Sequence, residues 1–243
     1  MKLSVGIVPP EVSVIYRLIL ASSILLLWCF YKKLPMKYSI SQDLFILLFG
    51  ILLYGVNLTL LYTGSAYITS GIVAIVFSAM VVMNIINGRI FLGNQPSTKA
   101  IFGASAGMIG LAVIFFEDLL KLNLQSSSLV GLSIILCATI AASLGSMTSI
   151  RNQRDNTPVT PGNAIAMAYG AAFLIIYAFF NGSTFAFYTS VTYISSLAYL
   201  SFFGAVLAFS FYLKLLSIIG ADKAGYVNLL FPIIALIISI LAN

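Results

Sequence analysis

"VPPEVSVIYRLILASSILLLWCF", Val8–Phe30, enters a long apolar run straight from a double-proline turn and carries one arginine, Arg17, inside that run. A helix of about 20 apolar residues crosses a hydrocarbon layer ~30 Å thick. Runs of similar length follow, and the pattern predicts spans over 11–31, 43–64, 70–92, 97–116, 129–150, 161–180, 193–216 and 221–243. The 243 residues are 61% hydrophobic and 7% charged, with a mean hydropathy of +1.09. A soluble domain carries about 25% charged residues, so this chain cannot coat a water-facing surface. The expected fold is all-α, a polytopic membrane protein of eight transmembrane helices.

The breaks between spans carry turn and cap chemistry. "KKLPMKYSISQD" divides the first two, and "GNQPST" the third and fourth, where Ser97 or Thr98 can cap a helix start. Lys32, Lys33, Lys37, Arg89, Lys99, Arg151, Arg154, Lys214 and Lys223 fall on one side of the alternation, against Lys2 and Lys121 on the other. The basic side is expected in the cytoplasm, which puts the N-terminal segment outside and makes the chain a multi-pass protein of the cytoplasmic (inner) membrane. The net charge of +6 is then a topology signal and implies no nucleic-acid partner. The first ten residues lack the apolar core of a secretory leader. Cys29 and Cys137 both fall in apolar spans, where buried thiols pack as small hydrophobes; neither a disulfide framework nor a metal site is implied.

The proline turn is explained by an internal repeat. Sliding the chain by 151 residues lays Val8-Pro9-Pro10 on Val159-Thr160-Pro161, the second span on "SLAYLSFFGAVLAFSFYLKLLS", and the third on "ADKAGYVNLLFPIIALIISILAN". Span boundaries stay in step without a gap. Span five would map ahead of residue 1 and span four beyond residue 243, so each copy is a five-helix unit. An odd number of helices inserts the copies with opposite polarity, an architecture that recurs in secondary transporters. The expected division is a first repeat over 1–116 and a second over 129–243, joined by an external linker at 117–128. The first helix of one copy and the last of the other are expected to be absent.

"VPPEVSVIYRLILASSILLL" resembles the second helix of EamA-type proteins of the drug/metabolite transporter superfamily. "LYTGSAYITSGIVAIVFSAMVVMNIINGRIFLG" and "LKLLSIIGADKAGYVNLLFPIIALIIS" resemble that family's helix 3–4 hairpin and its counterpart in the second half. The resemblance implies a ten-helix fold of two inverted halves, here incomplete. It also implies a transporter of small polar or amphipathic metabolites, amino acids among them, working in the export direction by alternating access. Pro232 matches the family's kink in its ninth helix, whereas Val81 stands at the matching place in the first half. Asn94 stands where "LGE" would put a glutamate.

Catalysis finds little support. "GASAG", Gly103–Gly107, has the letters of a nucleophile elbow, but it falls mid-helix in a chain with no histidine. Its glycines are spaced for close helix packing, and Ala138, Ala142 and Ser146 read the same way. Nothing indicates a cofactor, and the chain has no Walker lysine loop. Arg17 can snorkel outward, pair with Glu11 or meet an anionic group in a pathway. Lys214 is expected to anchor its helix end.

The candidate binding residues are uncharged. Asn57, Ser78, Asn84, Ser210 and Asn228 can orient a ligand, and Tyr62, Tyr169 and Tyr212 can wall it, since an amide in lipid must find a partner or line a wet cavity. Pro232 frees the carbonyl of Asn228 from its helical bond and kinks the helix there. The competing reading is interhelical bonding worth about 1 kcal/mol each. The partners of this reading are a small-molecule metabolite and the lipid bilayer, with a homodimer as an open arrangement. The rival functions are a truncated, non-transporting fragment and a structural or assembly subunit.

Overall fold

The computed structural model describes residues 8–95, 97–121 and 126–241. Lys2, the middle of the expected linker and the last two residues of the eighth span lie outside the described residues. Among those described there are eight helical rods and no strand: α1 (Pro10–Tyr31), α2 (Ile40–Gly64), α3 (Ser70–Leu92), α4 (Thr98–Ile114), α5 (Ser126–Arg154), α6 (Val159–Phe180), α7 (Val191–Ile219) and α8 (Tyr226–Leu241). Helical turns at Phe116–Leu120 and Ala221–Ala224 extend the ends of α4 and α8. Six rods are long and apolar enough to span a membrane; α4 and α8 are shorter, at 17 and 16 residues.

Local chemistry sets the boundaries. Ser39 caps α2 through the Gln42 amide at 3.2 Å while the Gln42 side chain accepts from the Ser39 amide at 2.9 Å, a reciprocal capping box. Thr69, Ser97 and Ser190 cap α3, α4 and α7 by accepting from the backbone amides of Ile72, Ala100 and Tyr193. These caps place the starts of α2 and α7 two or three residues ahead of the expected 43 and 193. Gly93, at φ +67°, ends α3 in the left-handed region. Cys29 is buried as expected, but Cys137 is exposed on α5, so its thiol does not pack in the core.

The repeat is visible in detail. Ser39 and Ser190 are equivalent caps, and the helices that follow both widen into π-helix, over Gly50–Val56 in α2 and Leu200–Leu207 in α7. The caps and the ends of the π segments keep the 151-residue offset. The first helices do not: α1 and α6 begin after Pro9 and Pro158 and end at Tyr31 and Phe180, an offset of 149. The loop between α6 and α7 is therefore two residues longer than its mate. The gapless register is corrected accordingly, because a loop in water accepts an insertion that a buried helix face cannot.

The helices from the two copies interleave. α6 packs along α1 and crosses the π segment of α2, while α5 packs along α2 and α3. A smaller apolar cluster joins α3, α4 and α8 through Val81, Ala104, Leu111 and Leu229. There α4 approaches α8 at Gly103 and Gly107, against Tyr226 and Leu229, so the small-residue spacing serves packing.

One end of the bundle collects the basic loops. Gln42 donates to the Asp155 carbonyl at 2.8 Å and Arg151 to Ser41 at 3.3 Å; Arg154 donates to the Leu92 carbonyl at 2.9 Å and to Asn94 at 2.7 Å. At the other end Ser183 donates to Glu11 at 2.6 Å.

Candidate functional site

Four helices bring polar side chains to one buried layer. Asn84 lies eight residues from the end of α3, Ser146 eight from the end of α5 and Tyr212 seven from the end of α7, all counted from the Lys/Arg-rich face. At 1.5 Å per residue this is about 10–12 Å into the bundle from that end. The Tyr212 hydroxyl meets Ser146 Oγ at 3.4 Å and faces the amides of Asn84 and Asn228. The Ser146 hydroxyl also bonds back to the Ala142 carbonyl at 3.0 Å. Asn228 donates to the Met80 sulfur at 3.3 Å, a weak acceptor.

Asn84 is the anomaly. Its side chain is fully buried, and among the described residues neither its amide nitrogen nor its amide oxygen has a partner at close hydrogen-bond distance, the Tyr212 hydroxyl being the polar group it faces. Leaving such groups unmade costs about 1–3 kcal/mol. Such an amide presents both a donor and an acceptor within the layer.

A second network lies on the opposite side of α7. Tyr54 donates to Asn163 Oδ1 at 2.5 Å, and Asn163 Nδ2 to Ser210 at 3.4 Å. The Tyr54 ring meets Phe209 edge-on at 5.0 Å. Ser210 and Tyr212, two residues apart, thus serve different neighbours, because a helix turns about 200° over two residues.

The other expected residues are elsewhere. Asn57 donates back to the Leu53 carbonyl at 3.2 Å, and its buried Oδ1 has no partner among the described residues. Ser78 bonds back to the Ile75 carbonyl at 2.5 Å. Tyr62 lines a crevice of about 350 Å³ near the face opposite the basic loops, with Glu11, Thr59 and Tyr177. Tyr169 donates to both Asp43 carboxylate oxygens at 3.0 Å and ties α6 to the start of α2. Replacing Tyr169 by Phe removes that donor and should cost about 1 kcal/mol, read as a lower melting temperature in detergent. Unchanged melting would show the bond to be dispensable. Nearby, burial first, then Cys29 and Asp43, pushes the Tyr38 phenol up to about 12. It therefore remains a hydrogen-bond donor throughout the physiological range.

Arg17 forms no ion pair with Glu11, whose carboxylate takes the Ser183 hydroxyl instead. The Arg17 Nε is buried and has no partner among the described residues. Pro232 stands inside α8, which continues through it, one turn beyond Asn228. Among the described residues no cluster of metal-ligating side chains occurs.

Ser146 and Asn163 are the polar members that sequence reading did not place in a site. Ser146 reads as one step of a small-residue stripe. Asn163 follows a Pro-Gly pair and looks like part of a helix entrance. The available signal was that each is a polar group within a strongly apolar run.

Comparison with known proteins agrees with this picture. The EamA-like transporter family matches the chain twice, over residues 1–116 and 129–242. An uncharacterized transporter of Buchnera aphidicola subsp. Schizaphis graminum is 27% identical over 238 residues, covering 97% of this chain and 77% of that protein. Protein PagO of Salmonella typhimurium is 25% identical over 239 residues, covering 97% and 76%. The uncharacterized transporter YyaM of Bacillus subtilis is 24% identical over 245 residues, covering 98% and 78%. With both copies of the repeat matched and the helices arranged as described, the chain belongs to the EamA-like transporter family, the drug/metabolite type of membrane transporter.

Proposed function

We propose that this membrane transporter is a secondary transporter that carries small polar or amphipathic metabolites, of which amino acids are the leading class, outward across the cytoplasmic membrane. The observation that carries the reading is the buried layer of Asn84, Ser146, Tyr212 and Asn228, in which Asn84 has both amide atoms without a close partner among the described residues. The layer offers donors and acceptors but no charge. A ligand bound there is neutral overall or a zwitterion, since an unpaired charge buried among the helices away from water is costly. The positive-inside rule orients the Lys/Arg-rich end toward the cytoplasm.

Alternating access is supported by how the repeats join. At the Lys/Arg-rich end, Arg151 and Arg154 of α5, the Asp155 carbonyl and Tyr169, midway along α6, are bonded to the start of α2 and the end of α3. The opposite end retains the Tyr62 crevice. Exchange between two such arrangements would expose the polar layer to each side in turn.

The test is uptake and counterflow of a panel of radiolabelled amino acids in proteoliposomes containing the full chain. Saturable exchange that Asn84→Leu removes supports the reading. Flux that is the same with Asn84→Leu as without it would remove this layer from the pathway.

A further inference from the structure

The inverted repeat builds two crevices that are mates. One, of about 630 Å³, opens between α1 and α7 near the Lys/Arg-rich end, lined by Leu25, Trp28, Thr160, Phe202, Val206 and Ser210. The other is the Tyr62 crevice between α6 and α2. The offsets of 149 and 151 residues put Trp28 opposite Tyr177, Thr160 opposite Glu11 and Ser210 opposite Thr59.

Their rims differ in charge. The Lys32 ammonium lies 5.2 Å from the centroid of Trp28 and 5.5 Å from that of Tyr31, and so is held at the mouth of the larger crevice. The equivalent of Lys32 in the other crevice is Asn181, and Glu11 lines that crevice. The larger space is walled mainly by apolar groups, and Leu27, Trp28, Phe202 and Phe211 around it are exposed. Its volume is that of a ligand pocket. Trp and Tyr beside a lysine mark the headgroup level, and basic groups between helices on the cytoplasmic side attract anionic headgroups.

We propose that this crevice seats one acyl chain of an anionic phospholipid from the leaflet on the Lys/Arg-rich side, with the lipid phosphate against Lys32 and the chain between α1 and α7. Both walls and charge separate the two crevices: the smaller is lined mainly by Tyr, Thr, Asn181 and Glu11, which do not suit an acyl chain, and only the larger has a lysine at its rim to select a negative headgroup. The site is separate from the Asn84 layer and does not depend on what the protein transports.

Trp28 is the chain's single tryptophan and lines the crevice, so it reports contact directly. The full chain in phosphatidylcholine nanodiscs receives a minor fraction of phosphatidylglycerol brominated in mid-chain or, separately, of phosphatidylcholine brominated at the same positions. The brominated anionic lipid should quench Trp28 severalfold more than the zwitterionic one. That preference should vanish in a Lys32→Gln, Lys33→Gln double variant and in Val206→Phe, which fills the crevice with both lysines intact. Added inorganic phosphate should not relieve the quenching. Equal quenching by the two lipids, a preference that survives either variant, or relief by free phosphate would each overturn the proposal.

Discussion

Gly50→Val should fail to yield a monodisperse protein, and Gly50→Ala should yield one that melts far below the unchanged chain. A Cβ on Gly50 would stand 2.3 Å from the carbonyl oxygen of Ala166 and 3.1 Å from the Cβ of Tyr169. The crossing is reciprocal, since a Cβ on Gly170 would stand 2.6 Å from the Cβ of Tyr54 and 2.9 Å from the Gly50 carbonyl oxygen. The obstacles are backbone and Cβ atoms, which cannot rotate aside, so α2 and α6 must part. Overpacking typically costs 1–3 kcal/mol, and a backbone clash belongs at the upper end, about 3 kcal/mol. For a chain of this size that is on the order of 10 °C in melting temperature. Gly110→Ala is the matched control: its Cβ meets nothing within 4 Å, and alanine is the better helix former. Thermal unfolding of the three proteins in one detergent decides the matter. Gly50→Ala melting with the unchanged chain would show that the crossing is not as tight as described.

The same crossing recurs between α7 and α1, where Ser201 and Ala21 stand at the positions equivalent to Gly50 and Gly170 and are both fully buried. Small residues at these four places let the helices meet closely, which in a membrane replaces a hydrophobic driving force.

Asn84→Leu is expected to separate stability from transport. A polar residue that merely holds helices together loses stability when it becomes apolar. Asn84 has no close hydrogen bond to lose among the described residues, and burying leucine in its place relieves an unsatisfied amide. The variant should melt at or above the temperature of the unchanged chain, with a gain of about 1 kcal/mol, while transport falls at least about tenfold because a paired donor–acceptor contact is worth more than 1.4 kcal/mol. Melting in detergent and flux in proteoliposomes must be measured on the same preparation. A clear drop in stability would assign Asn84 to the scaffold. Ser78→Ala supplies the contrast: its hydroxyl bonds the carbonyl of its own helix at Ile75, so transport should persist.

Much of the fold was legible because lipid imposes it. Backbone groups in hydrocarbon must bond within their own helix, so long apolar runs could only be helices, and the alternation of lysine and arginine followed their crossings. The capping residues Ser39, Thr69, Ser97 and Ser190 were present as turn chemistry in the breaks, although the exact starts of α2 and α7 needed the caps to be seen in place. The repeat was legible from boundaries, since each copy must bury equivalent faces; the two extra residues before α7 were not, because a loop carries no periodic constraint.

The site divides in the same way. That Asn84, Tyr212 and Asn228 would demand partners follows from their chemistry in an apolar run, and they do converge. That Ser210 turns away from Tyr212, that Tyr169 is committed to Asp43 and that Tyr62 lines an outer crevice depend on helix rotation. In a membrane span the hydrophobic signal is nearly uniform around the helix, so periodicity cannot fix that rotation.

By itself the amino-acid sequence determined the solvent, the helical class, the basic end of the bundle and the doubling of one unit, because each follows from what a single segment can do in lipid or water. Only the tertiary structure decided which amide would be left unpaired, where two helices touch through glycine, and which of two equivalent crevices carries a lysine at its mouth. Those are properties of contacts between segments distant along the chain, and they arise from packing rather than from any one stretch.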